Sequence, residues 1–449
     1  MANSPATSIE KKSIGTITPT RQKILGGIFL LAAIFIWFVF ARSTDAGMQT
    51  RFVMTIGGSL VTTPDWVFNS LAVLDVLAGL CAGLGIYQLW RGFGKATNGI
   101  LAFVGILLVF SFLAWGASGG SINFAGMLSV MVIRAVPITI GALAGILSER
   151  SGVTNIAIEG MMIAGAFSAA IMGSIAGLWV GILASILIGG LLAVVHAVLS
   201  IKYKVNQIIS GTMINILATG LTSYLYIKFL QEPDLQWLNQ SGFFQPLPIP
   251  LLAQIPIIGP IFFHQNLYVY SMYLLVIILT VALFYTKWGL RLRSVGEHPK
   301  AADTLGINVF KIRYMAVVMS GMLAGFAGSY FSLGSVGRFE EVMTAGRGFI
   351  ALAAMIFGKW TPVGSFEAGL LFGFAESLST KLSILRFPIP AEILLMMPYI
   401  VTMVVLAGLW AAVRGQLPAV PPTKRSLCKK QPVHDVHKKE QFPPFLFLS

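Results

Sequence analysis

The stretch ERSGVTNIAIEG, Glu149 to Gly160, breaks an otherwise hydrophobic region of the chain. It carries two carboxylates, a guanidinium, an asparagine and two glycines, between the apolar runs Phe124–Leu147 and Ile156–Ile175. About 20 helical residues cross the hydrocarbon core of a bilayer, so each flanking run is long enough to be a crossing. Ser151, Gly152 and Asn155 favour a turn and a helix cap. Gly160, Ala164, Gly165 and Ala166 then give the next crossing a face that lets another backbone approach closely. A non-helical break at membrane depth is tolerated only where protein or a water-filled cavity covers it.

Working outward from that stretch, the composition agrees. Of 449 residues, 56% are hydrophobic and only 11% charged, and the apolar residues come in blocks rather than stripes. Soluble domains carry about 25% charged residues, and β-barrels show weak alternating segments instead. The expected fold class is all-α: a polytopic membrane helix bundle of ten to twelve spans. The spans read as Ile24–Ala41, Trp66–Trp90, Gly99–Trp115, Phe124–Leu147, Ile156–Ile175, Trp179–Ile201, Ile208–Ile227, Leu267–Tyr285 and Met315–Leu333. A broken pair follows, a short Phe349–Gly358 and then Val363–Leu378, and the last span is Ile393–Val413. The basic segment before Ile24 resembles a signal peptide, but the run exceeds a typical h-region, so it reads as an uncleaved anchor.

Lysine and arginine set the orientation. They collect in the N-terminus, after the second and sixth spans, in the loop from Lys287 to Arg313, and in the C-terminal tail. The loop Gln231–Gln265 has neither. Both termini are therefore expected in the cytoplasm. The formal charge of +14 is this topology signal, complementary to anionic lipid headgroups, and no nucleic acid polymer is an expected partner. Cys81 and Cys428 are too few for a disulfide framework. No cluster of His and Cys has metal-ligand spacing, so no metal or cofactor is expected. His196 reads as a solvated or locally bonded histidine.

A charged side chain at the bilayer centre costs roughly 2.5–3.5 kcal/mol on insertion scales, so each one needs a reason. Asp75, Glu367 and Glu376 read as helix ends or internal pairs. Arg134, in mid-span, and Glu159 read either as translocation-pathway or structural-pair groups or as helix-end positions, alternatives that the sequence leaves open. Asn155, Asn206 and Asn215 add amides that could bond between helices or to a substrate. Pro362, in GKWTPVGS (Gly358–Ser365), interrupts a second apolar stretch, and paired interruptions of this kind point to a transport site. Gly321, Gly325 and Gly328, in SGMLAGFAGSYF, form a helix-packing face.

The loop RLRSVGEHPKAADTLGINVFKIR, Arg291–Arg313, holds a short helical patch that opens at Pro299 and closes at Gly306, the Pro-first, Gly-last asymmetry of helices. No phosphate-binding loop of the form G-x-x-x-x-G-K-[ST] exists; Gly94-Lys95 and Gly358-Lys359 lack both the upstream glycine and the following hydroxyl. The chain is thus neither a P-loop ATPase nor, lacking a nucleophile–base or metal constellation, an intramembrane enzyme.

Three segments carry a resemblance: SERSGVTNIAIEGMMIAGAF, GEHPKAADTLGINVFKIRYMAVVMSGMLAGFAG and ALAAMIFGKWTPVGSFEAGLLFGFAE. In that order they resemble the permease subunits of bacterial ABC importers, in the branch for nucleosides and simple sugars, related to the branched-chain amino acid permeases. The resemblance runs from about Phe124 to Pro421. It implies an ABC importer permease fold with broken helices, a homo- or heterodimeric pore with a second permease subunit, an ABC ATPase subunit and an extracytoplasmic substrate-binding protein, in the bacterial inner membrane. It also implies that Gly296, Glu297, Pro299, Lys300, Ala301, Ala302, Asp303, Leu305 and Gly306 belong to the coupling element that docks on the ATPase. A short helix there is expected to bury Ala301, Ala302 and Leu305 in that contact. Residues 1–118 then read as an N-terminal extension with three extra spans, 119–422 as the permease domain, and 423–449 as a basic, disordered cytoplasmic tail. Branched-chain amino acid transport, or an ion-coupled secondary transporter using the membrane carboxylates, are the alternatives.

Overall fold

Long apolar blocks become helices because only internally hydrogen-bonded backbone survives in hydrocarbon. The computed structural model describes residues 19–57, 62–384 and 396, all within one unit, Met1–Met403. The expected span Ile393–Val413 and the tail 423–449 lie outside the described residues, Met396 excepted. In chain order the helices are α1 (Pro19–Phe35), α2 (Ser70–Trp90), α3 (Thr97–Gly116), α4 (Phe124–Glu149), α5 (Ile158–Ala176), α6 (Leu178–Ala197) and α7 (Gln207–Leu225). They continue as α8 (Ile258–Phe262), α9 (Leu267–Tyr285), α10 (Lys287–Glu297), α11 (Pro299–Thr304), α12 (Val309–Phe331), α13 (Arg347–Phe357) and α14 (Pro362–Ile384). Wider π-type turns prolong α1, α6, α7 and α12.

Among the described residues, nine helices are long and apolar enough to cross a membrane: α1 to α7, α9 and α12 with their extensions. The protein is a multi-pass membrane protein with an all-α core. The expected span Trp66–Trp90 needs correcting, because Trp66–Asn69 is a strand, β2, and the helix begins at Ser70. The Asn69 side chain accepts the Ala72 amide at 3.1 Å, an N-cap that stops the helix from extending backward. The sequence up to Phe68 instead pairs antiparallel with β1 (Gln49–Val53), and β1 pairs in parallel with β3 (Ser121–Asn123), in the order β2-β1-β3. A second, two-stranded pairing joins β4 (Leu247–Pro248) to β5 (His264–Gln265).

Helix–helix attraction in lipid comes from close packing and hydrogen bonds rather than from burying apolar surface, so small residues decide the bundle. The α4 helix is its centre, packed against α12, α13 and α14. Gly369 and Gly373 of α14 lie against Thr139 and against Met131 and Ala135 of α4. Gly321 and Gly325 of α12 meet Gly189, Ser185 and Ala193 of α6, and Gly328 meets the Met162 backbone of α5. A Cβ on any of these three glycines would collide with facing atoms. A separate core forms around Phe29, Phe52, Leu74 and Cys81, which Met127 of α4 and Leu378 and Leu382 of α14 complete.

Candidate functional site

How ERSGVTNIAIEG keeps its backbone satisfied outside regular helix is clear from its hydrogen bonds. After α4 ends at Glu149, residues 150–157 run without regular helix, which leaves backbone groups to be satisfied from elsewhere. Ser148 Oγ donates to the Val153 carbonyl at 2.6 Å, and Arg313 Nε donates to the Ser151 carbonyl at 3.2 Å. Gln207 Oε1 accepts the Thr154 amide at 2.7 Å, and a ring nitrogen of buried His196 lies 3.1 Å from the Thr154 carbonyl. Asn155, fully buried, donates to Ser320 Oγ at 3.1 Å and accepts the Ala157 amide at 3.1 Å. Asn215 holds both sides of the start of α5, accepting the Gly160 amide at 2.8 Å and donating to the Ile156 carbonyl at 2.9 Å.

The second break mirrors the first. Beyond α12, residues 337–346 run without regular helix until α13 begins at Arg347. Phe339, fully buried, anchors this segment between Phe167 and Tyr226, with ring centroids at 5.2 and 5.7 Å. Asn239 clamps the same residue, donating to its carbonyl at 3.0 Å and accepting its amide at 2.7 Å. Since α13 has only 11 residues, it is about 16 Å long at 1.5 Å per residue, half a hydrocarbon core. It runs alongside α4 in the same direction, Ala351 opposite Gly141 and Met355 opposite Gly145.

Glu159 joins the two breaks. Its Oε1 accepts from Thr344 Oγ1 at 2.6 Å and from the Gly346 amide at 2.9 Å, and its Oε2 accepts the Gly348 amide at 2.6 Å. A buried carboxylate thus caps the half-helix from another element, satisfying amides that have no intrahelical acceptor and facing the positive end of the helix dipole.

At the far end of α13 three turns meet. The Glu149 carboxylate accepts the Trp360 indole N–H at 2.6 Å, and Arg150 donates to the Trp360 carbonyl at 2.9 Å from its terminal nitrogen. Burial, with neighbouring Arg293, draws the Arg150 guanidinium below its ordinary range, and Glu297 opposes this. Gly296, at the end of α10, sits backbone to backbone on Arg150 and Gly152; a Cβ there would collide with the Arg150 carbonyl. The short helix α11 follows directly. Ala302 is only 2% exposed and packs into this chain's own core with Leu292 and Ile312, whereas Leu305 is 81% exposed. The apolar group on the free face is therefore Leu305, with Ala301, Lys300 and Asp303 exposed beside it and Pro299 opening the helix.

Of the residues singled out in the sequence, Asn155, Glu159 and Asn215 come together around the start of α5. Arg134 stands apart on α4, half-buried. Asn206 is an exposed N-cap of α7, accepting the Ile208 amide at 2.9 Å, and Pro362 is the first residue of α14. Sequence reasoning missed Thr344, Gly346 and Gly348, the partners of Glu159. It also left His196 and Arg313 without a role, although a lone histidine and an arginine flanking apolar runs were the available signal.

The family described as the branched-chain amino acid transport system / permease component matches residues 126–407. The nucleoside ABC transporter permease protein NupC of Lactococcus lactis is 41% identical over 289 residues, 62% of this chain and 90% of that protein. The guanosine ABC transporter permease protein NupQ of Bacillus subtilis is 40% identical over 296 residues, 63% of this chain and 92% of that protein. The glucose ABC transporter permease protein TsgB13 of Haloferax volcanii is 26% identical over 351 residues, 74% of this chain and 85% of that protein. No solved structure matches the chain. A buried half-helix held between two breaks, shared ancestry across nine-tenths of a permease's length and the match over most of the chain agree: the chain belongs to the branched-chain amino acid transport permease family, and it is a membrane transport subunit, not an enzyme.

Proposed function

We propose that the chain is the permease subunit of an ABC importer that moves nucleosides, with simple sugars as the second class, across the bacterial inner membrane. The observation that carries this reading is the seat of Gly296 on Arg150–Gly152. It ties the α10–α11 loop to the break that leads, through Glu159, into the half-helix α13. Force applied to α11 by an ATPase subunit then reaches the pathway through packed backbone rather than through a flexible linker. Exposed Leu305 and the rim of Glu297, Lys300 and Asp303 suit docking into a cleft of that subunit.

In this reading the Arg150 end of the bundle is cytoplasmic, as are both termini, and an extracytoplasmic binding protein delivers cargo at the other end. A second permease subunit completes the pore. With α13 and α14 as a broken crossing, and with the expected span Ile393–Val413, this reading gives ten to twelve spans. The relatives named for nucleoside and guanosine transport support the nucleoside preference, and the glucose relative supports the second class.

The test is uptake of labelled nucleoside into proteoliposomes holding the chain, its partner permease, the ATPase and the binding protein. Uptake should require internal-face ATP and the binding protein. Uptake driven by an ion gradient without the ATPase would instead establish a secondary transporter. Reporter fusions in Gln231–Gln265 should report the extracytoplasmic side, and cytoplasmic activity there would reverse the orientation.

A further inference from the structure

Two charged groups in the membrane region keep bonding capacity that the capped half-helix does not use. Glu376, on α14, pairs through Oε1 with Arg347 Nε at 3.2 Å, while its Oε2 is buried with no partner among the described residues. Arg134, on α4, makes no hydrogen bond or ion pair among the described residues. Ionisable groups in membrane-crossing helices are candidates for functional sites by default.

Several observations bring these groups together. Arg347 is the first residue of α13, and its guanidinium lies 5.5 Å from the Phe331 ring centroid. Gly373, one turn before Glu376, packs on the α4 backbone at Met131 and Ala135, so Glu376 and Arg134 stand on neighbouring turns of touching helices. The Arg347 and Glu376 side chains are 18% and 13% exposed, so the group is neither sealed nor open.

The charges identify the chemistry. Two guanidiniums, Arg134 and Arg347, balance two carboxylates, Glu376 and the nearby Glu159, so the region offers no net attraction to an ionic cargo. What remains unused is one carboxylate oxygen, an acceptor only, and one guanidinium, a donor only. A structural ion pair would account for Arg347 and Glu376 Oε1, but not for Oε2 or Arg134. We infer that Arg134, Arg347 and Glu376 form the polar contact point for a neutral, hydroxyl-bearing cargo, whose hydroxyl donates to Glu376 Oε2 while Arg134 donates to a cargo oxygen. Arg347 is the positioning residue that fixes the carboxylate through its other oxygen. This assignment rests on the nucleoside reading above and names the part of the nucleoside that is recognised, its ribose hydroxyls.

The experiment compares uptake of a ribonucleoside and its 2′,3′-dideoxy analogue by the complete complex in cells lacking other nucleoside uptake. A site built to bond a hydroxyl rejects the analogue that lacks it, so the wild-type KM should differ by about tenfold or more between the two. Glu376→Gln should bring that ratio to within about twofold, because the neutral amide is a weaker acceptor than the carboxylate. Arg134→Gln breaks no native bond, should leave membrane abundance unchanged, and should raise the ribonucleoside KM by about tenfold through loss of a charged donor. If Glu376→Gln fails to accumulate, the Arg134→Gln KM decides. Wild-type uptake with unaltered KM and ratio in both variants overturns the contact point alone. A wild-type complex that takes up no nucleoside overturns the functional reading and this assignment with it.

Discussion

Glu159 Oε2 accepts the Gly348 amide at 2.6 Å, joining the first turn of α5 to the first turn of α13 across most of the transport region's sequence. The bond makes the position of a half-helix depend on one buried carboxylate. An ordinary crossing has no such dependence, because its backbone is satisfied along its own length.

Replacing that carboxylate should therefore act on stability first. Glu159→Ala leaves the Thr344 hydroxyl and the Gly346 and Gly348 amides without their acceptor. An unmade buried bond costs about 1–3 kcal/mol, so a loss of about 3 kcal/mol or more is expected, and about half as much for Glu159→Gln. Thermal unfolding of the detergent-solubilised protein measures both, and equal melting temperatures for Ala and wild type would remove the capping role.

Of the three apolar contacts expected at the ATPase, Leu305 and not Ala302 carries the coupling prediction. Ala302→Trp would disrupt this chain's own core, since Ala302 is buried against Leu292 and Ile312. Leu305→Asp should leave the fold intact and abolish substrate-stimulated ATP hydrolysis in the reconstituted complex. Lys300→Ala should only weaken it, as an exposed ion pair is worth about 1 kcal/mol or less. Full stimulation in Leu305→Asp would show that this face does not meet the ATPase.

Packing makes a contrasting pair of glycine substitutions informative. Gly328 has the Met162 backbone where a side chain would go, whereas Gly220 on α7 faces open space. Gly328→Val should prevent accumulation in the membrane, since overpacking against rigid backbone costs about 1–3 kcal/mol or more. Gly220→Ala should accumulate at wild-type levels, and membrane abundance by immunoblot checks both.

A fourth measurement concerns the latch between Glu149 and Trp360. Their bond of 2.6 Å ties the end of α4 to the turn between α13 and α14. A double-mutant cycle of Glu149→Gln and Trp360→Phe should give a coupling of about 0.5–3 kcal/mol in unfolding, the range seen for residues in one network. Simple additivity would mean that the bond contributes nothing.

Most crossings were legible because apolar length is a local property of the chain, and α9 agrees with its expected bounds at both ends. The strand at Trp66–Asn69 was not, because its apolar residues continue directly into α2; only pairing with β1, a distant partner, separates them. The site divided in the same way. Gly152, Asn155 and Pro362 announce breaks through their own backbone preferences. Nothing near Glu159 announces Thr344, Gly346 and Gly348, because a cap supplied by another element has no spacing rule. The facing of α11 was beyond reach too: six residues are too few to show a periodicity, so Ala302 and Leu305 could be assigned to opposite faces only by the packing of α10 and α12 around them.

The strand order β2-β1-β3 has a consequence for biogenesis. As the chain is synthesised, β1 and β2 can close as a local antiparallel hairpin before α2 is complete. The parallel partner β3 becomes available only after α2 and α3 have been inserted, and it leads at once into Asn123, whose side chain caps α4 by accepting the Gly126 amide at 2.6 Å. Asn123 thus belongs both to the strand that closes the sheet, opposite Val53, and to the cap that starts the central helix, so a change there would reach the sheet and α4 at once.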